Sequence, residues 1–231
     1  MIECNILQRI FDIIFCAVAI VLLSPLYVLI LVILRLTGEG EIFYFQERVG
    51  RNLKVFKVIK FATMLKNSPK LGTGSITVIN DKRVLPFGKF LRKTKINELP
   101  QLLNILKGEM SLIGPRPLTQ DQFNCYPTDL AKNIKSVRPG LSGGGSIVFR
   151  DEEKLMISSI DVKEFYRDII APYKGELEAW YVRENSLFIY FALIYVTFVV
   201  VLRPNSNLFW RLFPDAPKPT NKSLQRLIGL T

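Results

Sequence analysis

Hydrophobic positions along the chain gather in two runs that flank a long mixed region. Residues 13–34 carry no charged side chain, and about 20 such residues are enough for a helix to cross a bilayer. No small-residue cleavage site follows this run, so we expect it to be retained. The second run, residues 187–202, is short for a full span and fits a helix that lies in the interface or dips into it. Three aromatic residues typical of a headgroup-level anchor follow: Phe209, Trp210 and Phe213.

Ser24 and Pro25 stand near the middle of the first run. Proline removes a backbone hydrogen bond and kinks a helix, and a neighbouring serine hydroxyl can satisfy the carbonyl that is freed. Two shapes follow, a bent helix that still spans the bilayer and a broken, re-entrant helix that enters and leaves on one face. Hydropathy alone favours the spanning form. Arg9 and Asp12, at helical i, i+3 spacing before the run, are predicted to pair at the interface.

The mixed region between the runs predicts a helix-rich α+β chain. Residues 41–64 alternate aromatic and polar side chains around Gly50, which predicts a strand or hairpin. Residues 65–83 are rich in turn formers and predict a loop. The remaining predicted elements are two helical stretches in 84–117 separated near Lys95, a helix in 119–135, a turn, Gly-rich loop and strand in 137–149, and an amphipathic helix in 160–184 broken near Pro172.

Charge and residue types narrow the chemistry. The net charge of +11 favours an anionic partner, although charge alone does not choose among nucleic acid, anionic lipid and phosphorylated substrates. The chain has no histidine, so any catalysis must use carboxylates, Lys, Arg, Tyr, hydroxyls or a metal held by oxygen. Cys4, Cys16 and Cys125 show no CxxC spacing, which predicts neither a disulfide framework nor a zinc site.

A helix N-terminus at Asn97 and Glu98 is the strongest candidate site. Pro100 fits only the first turn of a helix, so the helix is predicted to begin at about Glu98 with Asn97 as its N-cap. Free N–H groups and a partial positive charge at such an end attract phosphate. Arg116 lies between two prolines that restrict its backbone, which suits bidentate phosphate binding. The simpler interpretation is a plain cap and a first-turn acid. The tract 143–145 lacks a P-loop pattern and predicts a flexible turn.

Taken together, several stretches resemble one family, the bacterial sugar transferases, also called small monotopic phosphoglycosyl transferases. In family order the matches are Arg9-Ile10-Phe11-Asp12, Ser24-Pro25, Phe45-Gln46-Glu47-Arg48-Val49-Gly50, Lys60-Phe61 with Met64, Asn97-Glu98-Leu99-Pro100-Gln101-Leu102, Asn104 with Lys107-Gly108-Glu109-Met110-Ser111, Gly114-Pro115-Arg116-Pro117 and Val137-Arg138-Pro139-Gly140. They cover about residues 8 to 200.

The resemblance implies an architecture and a reaction. Residues 1–37 would form a re-entrant membrane helix broken at Ser24 and Pro25. Residues 38–185 would form a small catalytic domain on the cytosolic face with interfacial amphipathic helices, and residues 186–231 an apolar membrane-associated helix and tail. In the family, an aspartate attacks the β-phosphate of a UDP-sugar, UMP leaves, and a polyprenol phosphate then takes the phosphosugar. The family uses Mg²⁺ at the cytoplasmic face of the bacterial inner membrane.

The resemblance also assigns site residues and partners. Asn97 occupies the nucleophile position, and Glu98 is the paired acid and the expected magnesium ligand. Expected partners are a UDP-sugar, undecaprenyl phosphate and inner-membrane lipid, with downstream glycosyltransferases and a second copy of the chain as further candidates. No nucleic acid is expected, because no DNA or RNA motif occurs. The phosphate or nucleotide contacts implied are Arg48, Lys60, Arg92, Arg116 and Arg138.

Asn97 departs from the family, whose catalytic pair is Asp-Glu. An amide does not act as a carboxylate nucleophile, and three explanations stay open: Glu98 or another acid takes over, the protein is an inactive or altered relative, or the chain carries a deliberate Asp-to-Asn change. A non-catalytic membrane scaffold that binds nucleotide sugar is the rival function. In addition, the family has an aromatic-containing segment where Gly144 and Gly145 stand, a difference expected to concern which sugar is bound.

Overall fold

The computed structural model describes residues 2–71, 77–78, 80–152 and 161–228 of the chain, and its helix-rich α+β fold confirms the predicted class. Two small sheets are present in this part, an antiparallel β1–β2 hairpin and a parallel β3–β4 pair. Short turns connect some of the elements in this part. They are the 3-10 turns Arg51–Leu53, Ser68–Lys70 and Ile96–Glu98 and a π-helical turn at Tyr166–Ile170. The elements are α1 (Ile2–Leu36), β1 (Phe43–Val49), β2 (Val55–Phe61), α2 (Pro86–Lys93), α3 (Gln101–Lys107), β3 (Ser111–Ile113), α4 (Gln120–Asn124), α5 (Thr128–Ile134), β4 (Gly140–Ser142), α6 (Gly144–Val148), α7 (Val162–Phe165), α8 (Ala171–Glu184), α9 (Leu187–Leu202), α10 (Leu208–Leu212) and α11 (Lys222–Leu227).

Local predictions for the polar region had mixed outcomes. The hairpin is confirmed, with Phe43 opposite Phe61 and Val49 opposite Val55. The strand predicted at the end of 137–149 is wrong, because the chain forms the short strand β4 and then turns into helix α6. The break predicted near Pro172 is also wrong: the helix continues from the π-helical turn into α8, whose first turn accommodates the proline. Part of the loop 65–83 and the residues 153–160 lie outside the described residues.

Helix α1 runs continuously through Ser24 and Pro25, so the break in the helix that was expected there is wrong. Pro25 has no N–H, so the carbonyl of Val21 four residues earlier lacks its usual helical donor. The Ser24 hydroxyl donates to that carbonyl at 2.8 Å, which confirms the predicted local compensation. Within the described residues, Ile6–Leu36 is long and apolar enough to cross a membrane by length and composition.

The start of α1 binds the polar domain. The guanidinium of Arg9 donates to the carbonyls of Ile105 and Leu106 at 2.6 and 3.0 Å, at the end of α3. The Asp12 carboxylate accepts from the backbone N–H of Leu112 at 2.9 Å and from the Tyr190 hydroxyl at 2.8 Å. The prediction that Arg9 and Asp12 pair with each other is therefore wrong, because the domain supplies closer partners.

Hydrophobic packing continues on both sides of Pro25. Before it, Cys16 packs with Val58 of β2 and with α3. After it, Ile30 and Leu34 pack with Phe61 of β2 and with α2. The largest cluster lies elsewhere, between α8, α9 and the C-terminal helices. Strand β2 is therefore held by α1 at two points along its length.

Gly88 of α2 allows a close approach to the chain after β2. A Cβ at this position would lie 2.2 Å from the carbonyl oxygen of Thr63. Gly88→Ala is expected to lower the free energy of unfolding by about 2 kcal/mol, although alanine favours a helix by about 1 kcal/mol. Gly144→Ala is the matched control, since its Cβ would meet only ordinary contacts at 3.7 Å. Thermal unfolding in detergent measures the stability of both variants. A Gly88→Ala protein with the same Tm as the wild type would contradict the close packing at Gly88.

Candidate functional site

The Asn97-Glu98 pair lies in a tight turn before the helix. Lys95 has a left-handed backbone with φ of 61°, and Glu98 N–H donates to its carbonyl at 3.1 Å. The α-helix begins only at Gln101, with Pro100 as the preceding cap residue. The prediction that Asn97 is the N-cap is therefore wrong, because the 3-10 turn intervenes and positions both side chains.

Asn104 connects this helix to the hairpin. Its side-chain oxygen accepts the N–H of Ile59 at 3.0 Å, and its amide nitrogen donates to the carbonyl of Lys57 at 2.8 Å. The amide nitrogen also donates to a Glu109 carboxylate oxygen at 2.7 Å. One buried side chain thus satisfies backbone groups of β2 and fixes that strand, which carries Lys60, beside the Ile96–Glu98 turn.

A cleft of about 1890 Å³ brings most of the predicted site residues together. Arg138 is not among the residues that line it. Its Nε donates to the carbonyl of Gly108 at 2.9 Å, at the end of α3 where Arg9 also binds, so the structure places it away from the cleft. The predicted residues that line the cleft are Arg48, Lys60, Arg92, Asn97, Glu98 and Arg116.

Glu98 is the centre of the charged group in this cleft. Its Oε1 lies 3.0 Å from Lys60 Nζ and 3.5 Å from Arg116 Nη2. Burial by itself would raise the pKa of Glu98, but the charges of Lys60 and Arg116 hold that pKa well below its usual value. Burial lowers the pKa of Lys60 to about 8, against the opposing effect of Glu98. The carboxylate is therefore ionised at neutral pH.

Arg48 adds a second guanidinium to the group. Its nitrogens donate to Gln46 Oε1 at 2.6 Å, to Gln122 Oε1 at 2.9 Å and to the carbonyl of Pro117 at 3.2 Å. Burial, followed by repulsion from Arg116, lowers the pKa of Arg48 to about 10. Arg48, Lys60 and Arg116 thus place three cationic side chains around the Glu98 carboxylate, and such a group attracts a polyphosphate.

The Asn97 amide is 5% exposed, and its Oδ1 has no hydrogen-bond partner among the described residues. A buried polar atom without a partner is costly, so this oxygen is a candidate for contact with a ligand. The described residues contain no group of three or more Asp, Glu or Cys side chains that could hold a metal by themselves. Arg92 contacts the sulfur of Met64 at 3.9 Å on another wall of the cleft.

Sequence reasoning missed three residues of helix α8 and its neighbourhood. Lys174 is buried, lines the cleft, and binds the Glu152 carboxylate at 2.7 Å. Glu178, one turn along α8, accepts the backbone N–H of Arg116 at 3.1 Å. The sequence holds one signal for them. Lys174 and Glu178 are four positions apart and share a helix face with the buried Leu177.

Comparison with known proteins places this chain among bacterial sugar transferases. A family model described as "Bacterial sugar transferase" matches residues 4–204. The exopolysaccharide production protein ExoY of Rhizobium meliloti is 36% identical over 159 residues, 63% of this chain and 70% of that protein. The uncharacterized sugar transferase EpsL of Bacillus subtilis is 34% identical over 200 residues, 85% of this chain and 88% of that protein.

A further relative carries a reaction in its name. The UDP-N-acetylgalactosamine-undecaprenyl-phosphate N-acetylgalactosaminephosphotransferase of Aeromonas hydrophila is 40% identical to this chain over 146 residues. The matched region is 62% of this chain but only 34% of that protein.

Removal of the Glu98 carboxylate tests the charged group. Glu98→Gln removes the carboxylate that pairs with Lys60 and Arg116, so the free energy of unfolding is expected to fall by about 3 kcal/mol. Inorganic phosphate should raise the Tm of this variant more than that of the wild type, because the anion replaces the lost charge. The control is Glu176→Gln, an exposed change on α8. Equal phosphate effects in all three proteins would contradict this electrostatic account.

Proposed function

The chain belongs to the bacterial sugar transferase family, and on that premise we propose that it transfers a sugar 1-phosphate from a UDP-sugar to undecaprenyl phosphate. The products are a polyprenyl diphosphate sugar and UMP. The observation that carries the proposal is the Glu98 carboxylate held by Lys60 and Arg116 on the wall of an open cleft. The name of the Aeromonas relative describes a transfer of this kind.

In the proposed reaction, the cationic side chains bind the diphosphate, and a carboxylate acts on it. Glu98 supplies the carboxylate of the turn, and its low pKa keeps it ionised. A Glu98 oxygen bonds to the β-phosphorus, the bond from that phosphorus to the bridging oxygen breaks, and UMP leaves with the electron pair. A phosphate oxygen of undecaprenyl phosphate then attacks the same phosphorus, and the bond to Glu98 breaks, which restores the carboxylate.

Asn97 favours one alternative function, a membrane scaffold that binds nucleotide sugar without chemistry. The amide preserves the shape of an aspartate but lacks its negative charge, and it accepts or donates hydrogen bonds instead. Its buried, unpartnered Oδ1 suits contact with a substrate group. Substrate binding is common to both functions, so they differ in turnover alone.

Magnesium is a further part of the proposal. Glu98 and the Asn97 Oδ1 are adjacent oxygen donors in the cleft, and Mg²⁺ usually takes one or two protein oxygens together with substrate phosphates and waters. The residues present therefore fit the ion when substrate is bound. When bound, the ion offsets phosphate charge.

Contacts at both ends of α1 support a re-entrant position in the bacterial inner membrane, with the domain on the cytoplasmic face. Arg9 binds α3, and Leu34 packs in a cluster with α2 and β2. A helix that crossed the bilayer would carry its two ends to opposite faces. Here both ends contact the same domain. This position brings a water-soluble UDP-sugar and a lipid acceptor to one site.

UMP release tests the reaction. The assay supplies a panel of UDP-sugars, undecaprenyl phosphate and Mg²⁺ to the wild type, Asn97→Asp and Glu98→Ala. We expect slow turnover by the wild type, a rise of about tenfold or more in Asn97→Asp, and loss in Glu98→Ala. Turnover that appears only in Asn97→Asp would reassign the nucleophile and make this chain a disabled form. Binding of UDP-sugar without turnover by any variant would favour the scaffold.

Protease access to terminal tags tests the membrane position. Tags at the N-terminus and at the C-terminus are expected to be cleaved together in inside-out inner-membrane vesicles and to be protected together in spheroplasts. The reason is that both ends of α1 contact one domain. Cleavage of the N-terminal tag in spheroplasts would contradict the re-entrant arrangement.

A further inference from the structure

The Pro115-Arg116-Pro117 segment has one backbone donor, the N–H of Arg116, because proline has none. That N–H donates to Glu178 Oε1 at 3.1 Å. On either side, the carbonyl of Pro115 accepts the N–H of Gly140 at 2.8 Å, and the carbonyl of Pro117 accepts from Arg48 at 3.2 Å. The backbone around Arg116 is therefore held at three points, one of them a side chain that follows 62 positions later.

In the 143–145 tract, Gly145 leaves room for this carboxylate. A Cβ at Gly145 would lie 2.4 Å from Glu178 Oε1 and 3.0 Å from its carboxyl carbon. A Cβ at Gly143 would lie 2.3 Å from the carbonyl of Gly114 and 3.5 Å from Glu178 Oε2. Neither glycine lies in the left-handed region, and Gly143 is extended at φ 172°, so the requirement at these positions is space. Gly144 between them would accept a Cβ with ordinary contacts.

We infer that Glu178 and Gly145 together are positioning residues for Arg116, and that the absence of a side chain at Gly145 admits the Glu178 carboxylate beneath the Pro-Arg-Pro segment. The inference rests on the proposed function in one respect, that Arg116 binds the diphosphate. Arg116 in turn contacts Glu98 at 3.5 Å, so a shift of its backbone moves the guanidinium relative to the reacting carboxylate.

The contact between Glu178 and the Arg116 N–H is buried, so it requires an acceptor oxygen at position 178. Glu178 is 1% exposed, and its Oε2 has no hydrogen-bond partner among the described residues. Burial raises the pKa of Glu178 to about 7, although the Arg116 N–H and Lys174 act in the opposite direction. A neutral glutamine offers an acceptor oxygen of the same reach, whereas a leucine of similar size offers none.

Binding of inorganic pyrophosphate, measured by calorimetry on the full chain in detergent, tests the inference. Glu178→Leu is expected to weaken binding about tenfold, because it removes one buried hydrogen bond and with it the position of the Arg116 backbone. Glu178→Gln should stay within about threefold of the wild type, because the acceptor is kept. The exposed Glu176→Gln is the matched control on the same helix and should bind as the wild type does.

A double-mutant cycle tests the role of the glycine. Gly145→Ala should weaken pyrophosphate binding about tenfold in the wild type and change it less than twofold in the Glu178→Ala background, since the atoms that clash are gone. Gly144→Ala is the control for an added methyl group. Equal effects of Gly145→Ala in both backgrounds would overturn the inference.

Unfolding temperatures separate positioning from simple loss of stability. The Glu178→Leu variant is compared with the wild type at a temperature where both are folded. If it has a lower Tm but binds pyrophosphate as tightly as the wild type, the inference is also overturned. UDP binding is measured alongside. Wild-type protein that binds pyrophosphate but no UDP would defeat the proposed function and leave the positioning result standing. Wild-type protein that binds neither probe would overturn both.

Discussion

The arrangement of the cleft depends on the ion pairs that the poorly solvated Glu98 carboxylate makes with Lys60 and Arg116. Glu98 holds Lys60 and Arg116 against a single oxygen, and Arg48 stands next to them with its own set of amide and carbonyl acceptors. Three cations do not stay together in a poorly hydrated wall without a counter-charge, so the carboxylate stabilises the group. The remaining excess of positive charge faces the cleft, where it is complementary to a diphosphate.

Strand β2 connects the charged group around Glu98 to helix α1. Lys60 lies on the strand between Val58, which packs with Cys16, and Phe61, which packs with Ile30. Asn104 adds two hydrogen bonds to the same strand from α3. The apolar contacts of α1 and the polar site are thus two faces of one short hairpin. In consequence, a shift of α1 would also shift the strand that carries Lys60.

Helix α8 supports the opposite side of the cleft. Lys174 fixes Glu152, and Glu178 holds the Arg116 backbone. The two charged residues are one helical turn apart and nearly inaccessible to solvent, yet each has a partner that belongs to the cleft or to its backbone. The Ile96–Glu98 turn before α3 and the buried face of α8 therefore meet at Arg116, which contacts Glu98 through its side chain and Glu178 through its main chain.

The sequence by itself determined the features that depend on neighbouring residues. The uncharged run, the alternation around Gly50, the local compensation of Pro25 by Ser24, the family and the proximity of Asn97 to Glu98 all follow from short-range patterns. Tertiary packing decided the rest, because it depends on which groups meet across distant segments. It sent Arg138 to the end of α3, gave Arg9 and Asp12 partners about a hundred residues away, and replaced the expected cap at Asn97 with a tight turn. The need for glycine at position 145 is likewise invisible in the sequence, since the closest atoms that require the space belong to Glu178.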